Sequence, residues 1–153
     1  MKRRPELRDL SDDHHTALVL AIRCKRAGSG RREDEPAWLW AQVARAFADH
    51  LEPHFRIEEE HLLPALETIG EAELAARIRA DHAALRDTGG VETADTATVR
   101  AFGALLEAHI RFEERDVFES TQDRLPKAAL EAIAAACRET PRTCPSTGIE
   151  PSR

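Results

Sequence analysis

Apolar residues recur at helical intervals along most of this chain, and the polar breaks between the runs predict five helices. The first is expected to begin at Leu10 and Ser11, a cap residue followed by Asp12 and Asp13 at the positive helix start, and to carry Leu18, Val19 and Ile22 toward about Ala27. Gly28, Ser29, Gly30 and the charged stretch 31–35 break it, and Pro36 suits the first position of the next helix. From there Val43, Phe47, Leu51, Ile57 and Leu62 keep helical spacing over about thirty residues. Pro53 cannot donate to the Asp49 carbonyl, which predicts a kink, and Pro64 and Gly70 mark the end. A third helix carries Leu74, Ile78 and Leu85 and stops at Gly89 and Gly90; a fourth spans about Asp95 to Ser120. A short alanine-rich helix then reaches about Glu139, and 141–153 reads as a loose tail. The expected fold is all-α: an up-down-up-down antiparallel four-helix bundle over 1–140, with the short extra C-terminal helix covering one end.

Composition narrows this further. With 153 residues, 42% hydrophobic and 33% charged, the chain can bury one core but not two. Alanine, leucine, glutamate and arginine dominate and tyrosine is absent, which favours helices throughout. The net charge of -6 comes from mixed signs with no basic stripe, so nucleic acid is an unsuitable partner. The N-terminus lacks an apolar segment after its basic residues, and no run of about 18 apolar residues occurs, so neither a signal peptide nor a membrane span is expected and the anticipated location is cytoplasmic. Cys24, Cys137 and Cys144 form no CxxC pair and are odd in number, which favours reduced thiols over disulfides or a thiolate zinc site; redox pairing of Cys137 with Cys144 is the lesser reading.

Comparing the chain with itself brings in chemistry. HTAL at His15 to Leu18 is followed by HFRIEEE from His54; HAAL at His82 to Leu85 is followed by HIRFEER from His109. The first motif recurs after 67 residues and the second after 55, a difference that the loop around Gly28 to Glu35 can absorb. In this alignment His14 faces Asp81, His50 faces Leu105 and His61 faces Asp116, so the repeat selects His15, His54, Glu58, His82, His109 and Glu113.

Residues four apart share a helix face, so His54 with Glu58, and His109 with Glu113, each offer an imidazole and a carboxylate together. These faces also carry the apolar residues a bundle turns inward. A lone core histidine is more often hydrogen-bonded than a ligand, and a lone HxxxE is commonly a surface pair. Four imidazoles and two carboxylates repeated in two halves, with no lysine or arginine on the same stripes, are another matter, because buried carboxylates need compensating charge. Cations supply it, and nitrogen with carboxylate oxygen suits iron, manganese or zinc. Glu58 with His61 also forms a single ExxH, where ferritin-like two-metal bundles need two.

Over about Leu10 to Phe118, through the DHH start, HFRIEEEHLLPAL, DHAALR and HIRFEERDVF, the chain resembles the hemerythrin-like, or HHE cation-binding, family. The resemblance implies a four-helix bundle holding two iron ions, with bridging carboxylates and terminal histidines. It places His15 at the first-helix ligand, His54 and Glu58 at the second, His82 at the third, and His109 and Glu113 at the fourth. The ligand it implies is a small molecule: dioxygen, peroxide or nitric oxide. Arg86 and Glu113 stand where the invertebrate oxygen carriers have a histidine and an aspartate, which moves the expectation away from reversible oxygen carriage and toward bacterial HHE proteins and the iron-sulfur-cluster repair branch. Four uses are therefore distinguished: binding or sensing of such a molecule, decomposition of peroxide by an enzyme, iron donation or repair, and structural zinc. A monomer or homodimer is compatible with all of them. His14, His50 and His61 are the further histidines near enough to join the site.

Overall fold

The computed structural model describes residues 2–141, so Cys144 and most of the expected tail lie outside the described residues. Five helical segments form an antiparallel bundle, and no strand occurs among the described residues. A 3-10 turn at Pro5–Leu7 leads into α1 (Arg8–Lys25). Helix α2 covers residues 36–68, α3 is Ala72–Gly89, α4 covers residues 96–121, and α5 is Lys127–Glu139.

Helix α1 starts earlier than its sequence signals predict. Pro5 opens the preceding turn, Leu7 and Leu10 are fully buried, and Ser11 caps nothing; its hydroxyl donates to Glu114 on α4 at 2.8 Å. Burial of two leucines outweighs a local capping signal. The start of α4 follows the expectation, with the Asp95 carboxylate accepting from the Thr98 N–H.

Helix α2 accommodates its prolines through two wide π turns, Phe47–Leu51 and Glu58–Leu62, each closing two residues before a proline, Pro53 and Pro64. Such a turn already departs from the i to i−4 ladder, so the missing proline N–H costs less there. Pro64 therefore does not end the helix, which continues to Thr68 before Gly70 turns at φ +87°. Helix α4 carries a third π turn at Glu113–Phe118.

The core divides in two along the bundle axis. One cluster, including Leu10, Leu66, Ile78, Val117 and Ile133, is sealed by α5; the other gathers Leu39, Val43, Phe55, Leu85, Phe102 and Leu106. Between these apolar halves lie His14, His54, Glu58, His82, His109 and Glu113, all buried.

Candidate metal centre

Each long helix delivers one imidazole to a common centre. The stripe Leu7, Leu10, His14, Ala21 and Cys24 is the buried face of α1, so His14 turns inward, while His15 is exposed and stands outside the cluster. The first-helix histidine that the structure brings to the cluster is thus His14, one residue before the expected His15. The misleading signal was Leu18, only partly buried, whose spacing from His15 copies that of Leu85 from His82. A better signal was the Asp-His dipeptide, at Asp13–His14 and again at Asp81–His82. Shifting the alignment by one residue superposes it and sets Leu7 and Leu10 against Ala75 and Ile78, all four buried.

Helix α2 brings His54 and Glu58, α3 brings His82, and α4 brings His109 and Glu113. Glu58 and Glu113 each begin a π turn and are 0% exposed. π turns concentrate at functional sites because they redirect side chains without ending a helix.

Two groups of four donors result: His14, His54, Glu58 and Glu113, and then Glu58, His82, His109 and Glu113. Within each group one ligand atom per residue lies within 4.8 Å of the others, and both glutamates belong to both groups. Glu58 points Oε1 at His54 Nε2 (3.0 Å) and Oε2 at His82 Nε2 (3.2 Å). Glu113 Oε2 lies 2.9 Å from His14 Nε2 and 3.3 Å from His109 Nε2. His50 and His61 belong to neither group; His61 lies beside Glu60 with 27% of its side chain exposed.

The far nitrogen of every ring meets a carboxylate. His14 Nδ1 lies 2.7 Å from Glu114, His54 Nδ1 3.1 Å from Asp13, His82 Nδ1 2.9 Å from Glu59, and His109 Nδ1 3.3 Å from Asp81. A carboxylate only accepts, so each Nδ1 carries the hydrogen and each neutral ring aims a bare Nε2 inward. The His14 and His54 Nε2 atoms lie only 3.0 Å apart. Two lone pairs at that distance repel unless positive charge sits among them. Both oxygens of Glu58, both of Glu113, and Nε2 of His82 and His109 have no hydrogen-bond partner. Buried polar atoms are rarely orphaned, and these converge on two points, so the donor set fits cations.

Without a cation, protons take that role. Burial opposes charge on His54, but the nearby Glu58 and Asp13 carboxylates outweigh it and raise its pKa to about 9. His14 is raised by Glu113, Glu114 and Glu58 and His82 chiefly by Glu58, in both cases against burial; Glu58 is held well below its usual range by His54, His14 and His82 despite its own burial.

Two further shells mirror one another. Arg86 donates to Glu59 (2.7 Å) and Glu52 (2.9 Å), its guanidinium lies 5.6 Å from the Phe55 ring, and Phe55 stacks on His82 at 4.0 Å. Across the centre Arg3 donates to Glu114 (2.5 Å), lies 5.0 Å from the Phe118 ring, and Phe118 stacks on His14 at 5.5 Å. Sequence reasoning noted Arg86 only as a departure from the oxygen carriers' histidine and missed Arg3.

Fold and site together define a helical bundle with a buried histidine–glutamate centre suited to metal cations. The model of the hemerythrin HHE cation binding domain matches residues 6–120, and the chain belongs to that family. No curated protein and no solved structure gives a significant match. Among the described residues no helix is long and apolar enough to cross a membrane.

Proposed function

We propose that this protein holds two iron ions and binds dioxygen or a related small molecule, peroxide or nitric oxide, at them. The observation that supports it best is the sharing of Glu58 and Glu113 by two donor groups whose inward atoms lack other partners. In this reading His14 and His54 would hold one ion and His82 and His109 the other, with Glu58 and Glu113, which belong to both donor groups, serving both. Four side-chain donors per ion would leave a roughly octahedral shell open, which is what a small ligand requires; manganese or zinc would satisfy the same donors. Iron, when bound, would supply electrons to the ligand.

The protein's own groups do the rest. Glu114, Asp13, Glu59 and Asp81 fix the ring orientations, and Phe55 and Phe118 pack on the His82 and His14 rings. A peroxide-decomposing enzyme at the same centre is the second reading. It is favoured by His15 and His50, which line the pocket leading to the centre and can carry protons.

Metal analysis of the purified chain should return two iron ions, and reduction followed by air should produce a visible charge-transfer band. His14→Ala should lower metal content sharply while His15→Ala leaves it near wild type. Equal loading of these two variants would remove the proposed ligand set. Rapid oxygen evolution from peroxide would favour the enzyme over the binding protein.

A further inference from the structure

A pocket of about 590 Å³ lies between α1 and the middle of α2, and His14, His54 and His109 form part of its lining. Its existence follows from unequal packing of α1. Toward α4 the helices approach closely at Gly103, where even a Cβ would come within 2.6 Å of the Ala21 carbonyl oxygen. Toward α2 the pocket is lined by Ala17 and Ala46, whose methyl groups are too short to close the gap. Leu20, Leu51, Leu106 and Ile110 complete an apolar wall, and the polar residues His15, Gln42, Arg23 and His50 also line it.

This volume falls in the range of about 300–1,000 Å³ that accommodates organic ligands. A molecule the size of water occupies only about 30 Å³. With their Nδ1 hydrogens directed to Asp13, Glu114 and Asp81, the neutral rings of His54, His14 and His109 offer an incoming head group no donor of their own. A cation among those bare Nε2 atoms would hold an oxygen-donor head there, and the apolar wall behind it suits an aliphatic body.

We propose that the pocket binds an organic molecule with an aliphatic body and one anionic oxygen head, of the class of a medium-chain monocarboxylate, with its head at the metal centre. This rests on the two-cation reading above and goes beyond a diatomic or peroxide ligand.

The probe is a series of straight-chain carboxylates from acetate to decanoate, titrated into cobalt(II)-loaded protein and followed through the cobalt visible bands. Affinity should rise by up to about fourfold per methylene until the pocket is filled, the value for full burial of a CH₂. Metal-free protein, titrated by calorimetry beside the cobalt form, should show no such series. Ala46→Trp, which fills the pocket, should flatten the chain-length dependence; Ala17→Leu provides a milder version if the tryptophan variant does not fold, as judged by circular dichroism. A flat series in the wild type, an equal series without cobalt, or an undiminished slope in the folded variants would each overturn the proposal. Failure to take up cobalt would sink the two-cation reading itself, and is read separately from the metal content.

Discussion

Arg86 reaches the centre only through Glu59, yet that contact sets both the position and the charge of the carboxylate beside His82. It anchors the carboxylate that orients the ring and, with His82, holds the Glu59 carboxyl below its ordinary range against the effect of partial burial. Arg86→Gln should therefore weaken binding at the His82 and His109 side by about 10–100-fold, the usual consequence of losing an outer partner of a metal ligand, and leave the His14 and His54 side less affected. A two-step metal titration checks this; uniform weakening of both steps, or none, would refute it. Arg86→Lys should recover only part of the effect, because an ammonium cannot reproduce the fork that spans Glu52 and Glu59. The equivalence of Arg86 and Arg3 was invisible in the sequence. They belong to no common repeat, and neither do Phe55 and Phe118; the chain brings them to matching positions only through its three-dimensional twofold arrangement.

At the scale of elements, the four long helices and their breaks were legible because helical periodicity and the Gly28, Pro36, Gly70 and Gly89 signals agree with the packing. The π turns were not. The turn at Glu58 eases Pro64, but the one at Glu113 precedes no proline, and what the two share is the convergence of their carboxylates on the centre. Register on α1 likewise depended on which face packs: the Leu18 spacing favoured His15 and the Asp-His dipeptide favoured His14, and packing decided between them. The close approach of α1 and α4 rests on Gly103, where a Cβ would also lie 2.8 Å from Cys24 Cβ. Gly103→Val should cost about 2–3 kcal/mol, toward the top of the usual range for overpacking a core, since the nearest obstacle is backbone. Urea denaturation measures it, and a midpoint at or above wild type would show that the helices can separate freely.

For the whole molecule, protons and cations compete for one centre, and the two forms should respond oppositely to pH. In metal-free protein, His54 is raised from its ordinary 6.5 to about 9, so its contribution to stability is complete below about 6.5 and is lost as pH rises through about 9. Glu114, helped by His14, Ser11 and Arg3 against partial burial, falls from 4.5 to about 2; its contribution is present above 4.5 and is lost as pH drops toward 2. These two groups favour a metal-free optimum between about 4.5 and 6.5. Metal must displace the protons from the imidazoles, so its affinity grows with pH over the range in which the metal-free form weakens. Thermal melts from pH 5 to 9 should show a falling Tm without metal and a widening gain with it. Parallel curves for the two forms would argue against a shared proton and cation site.

The sequence by itself determined an all-α bundle, the approximate helix boundaries, family membership, and five of the six residues that meet at the centre, because helical period and repeated motifs are local quantities. Only the tertiary structure decided that His14 faces inward, that π turns aim both glutamates, that two arginines brace opposite histidines, and that a pocket opens beside α1. Each of those depends on which surfaces meet, and a preference of one residue in helix phase costs nothing until another helix packs against it.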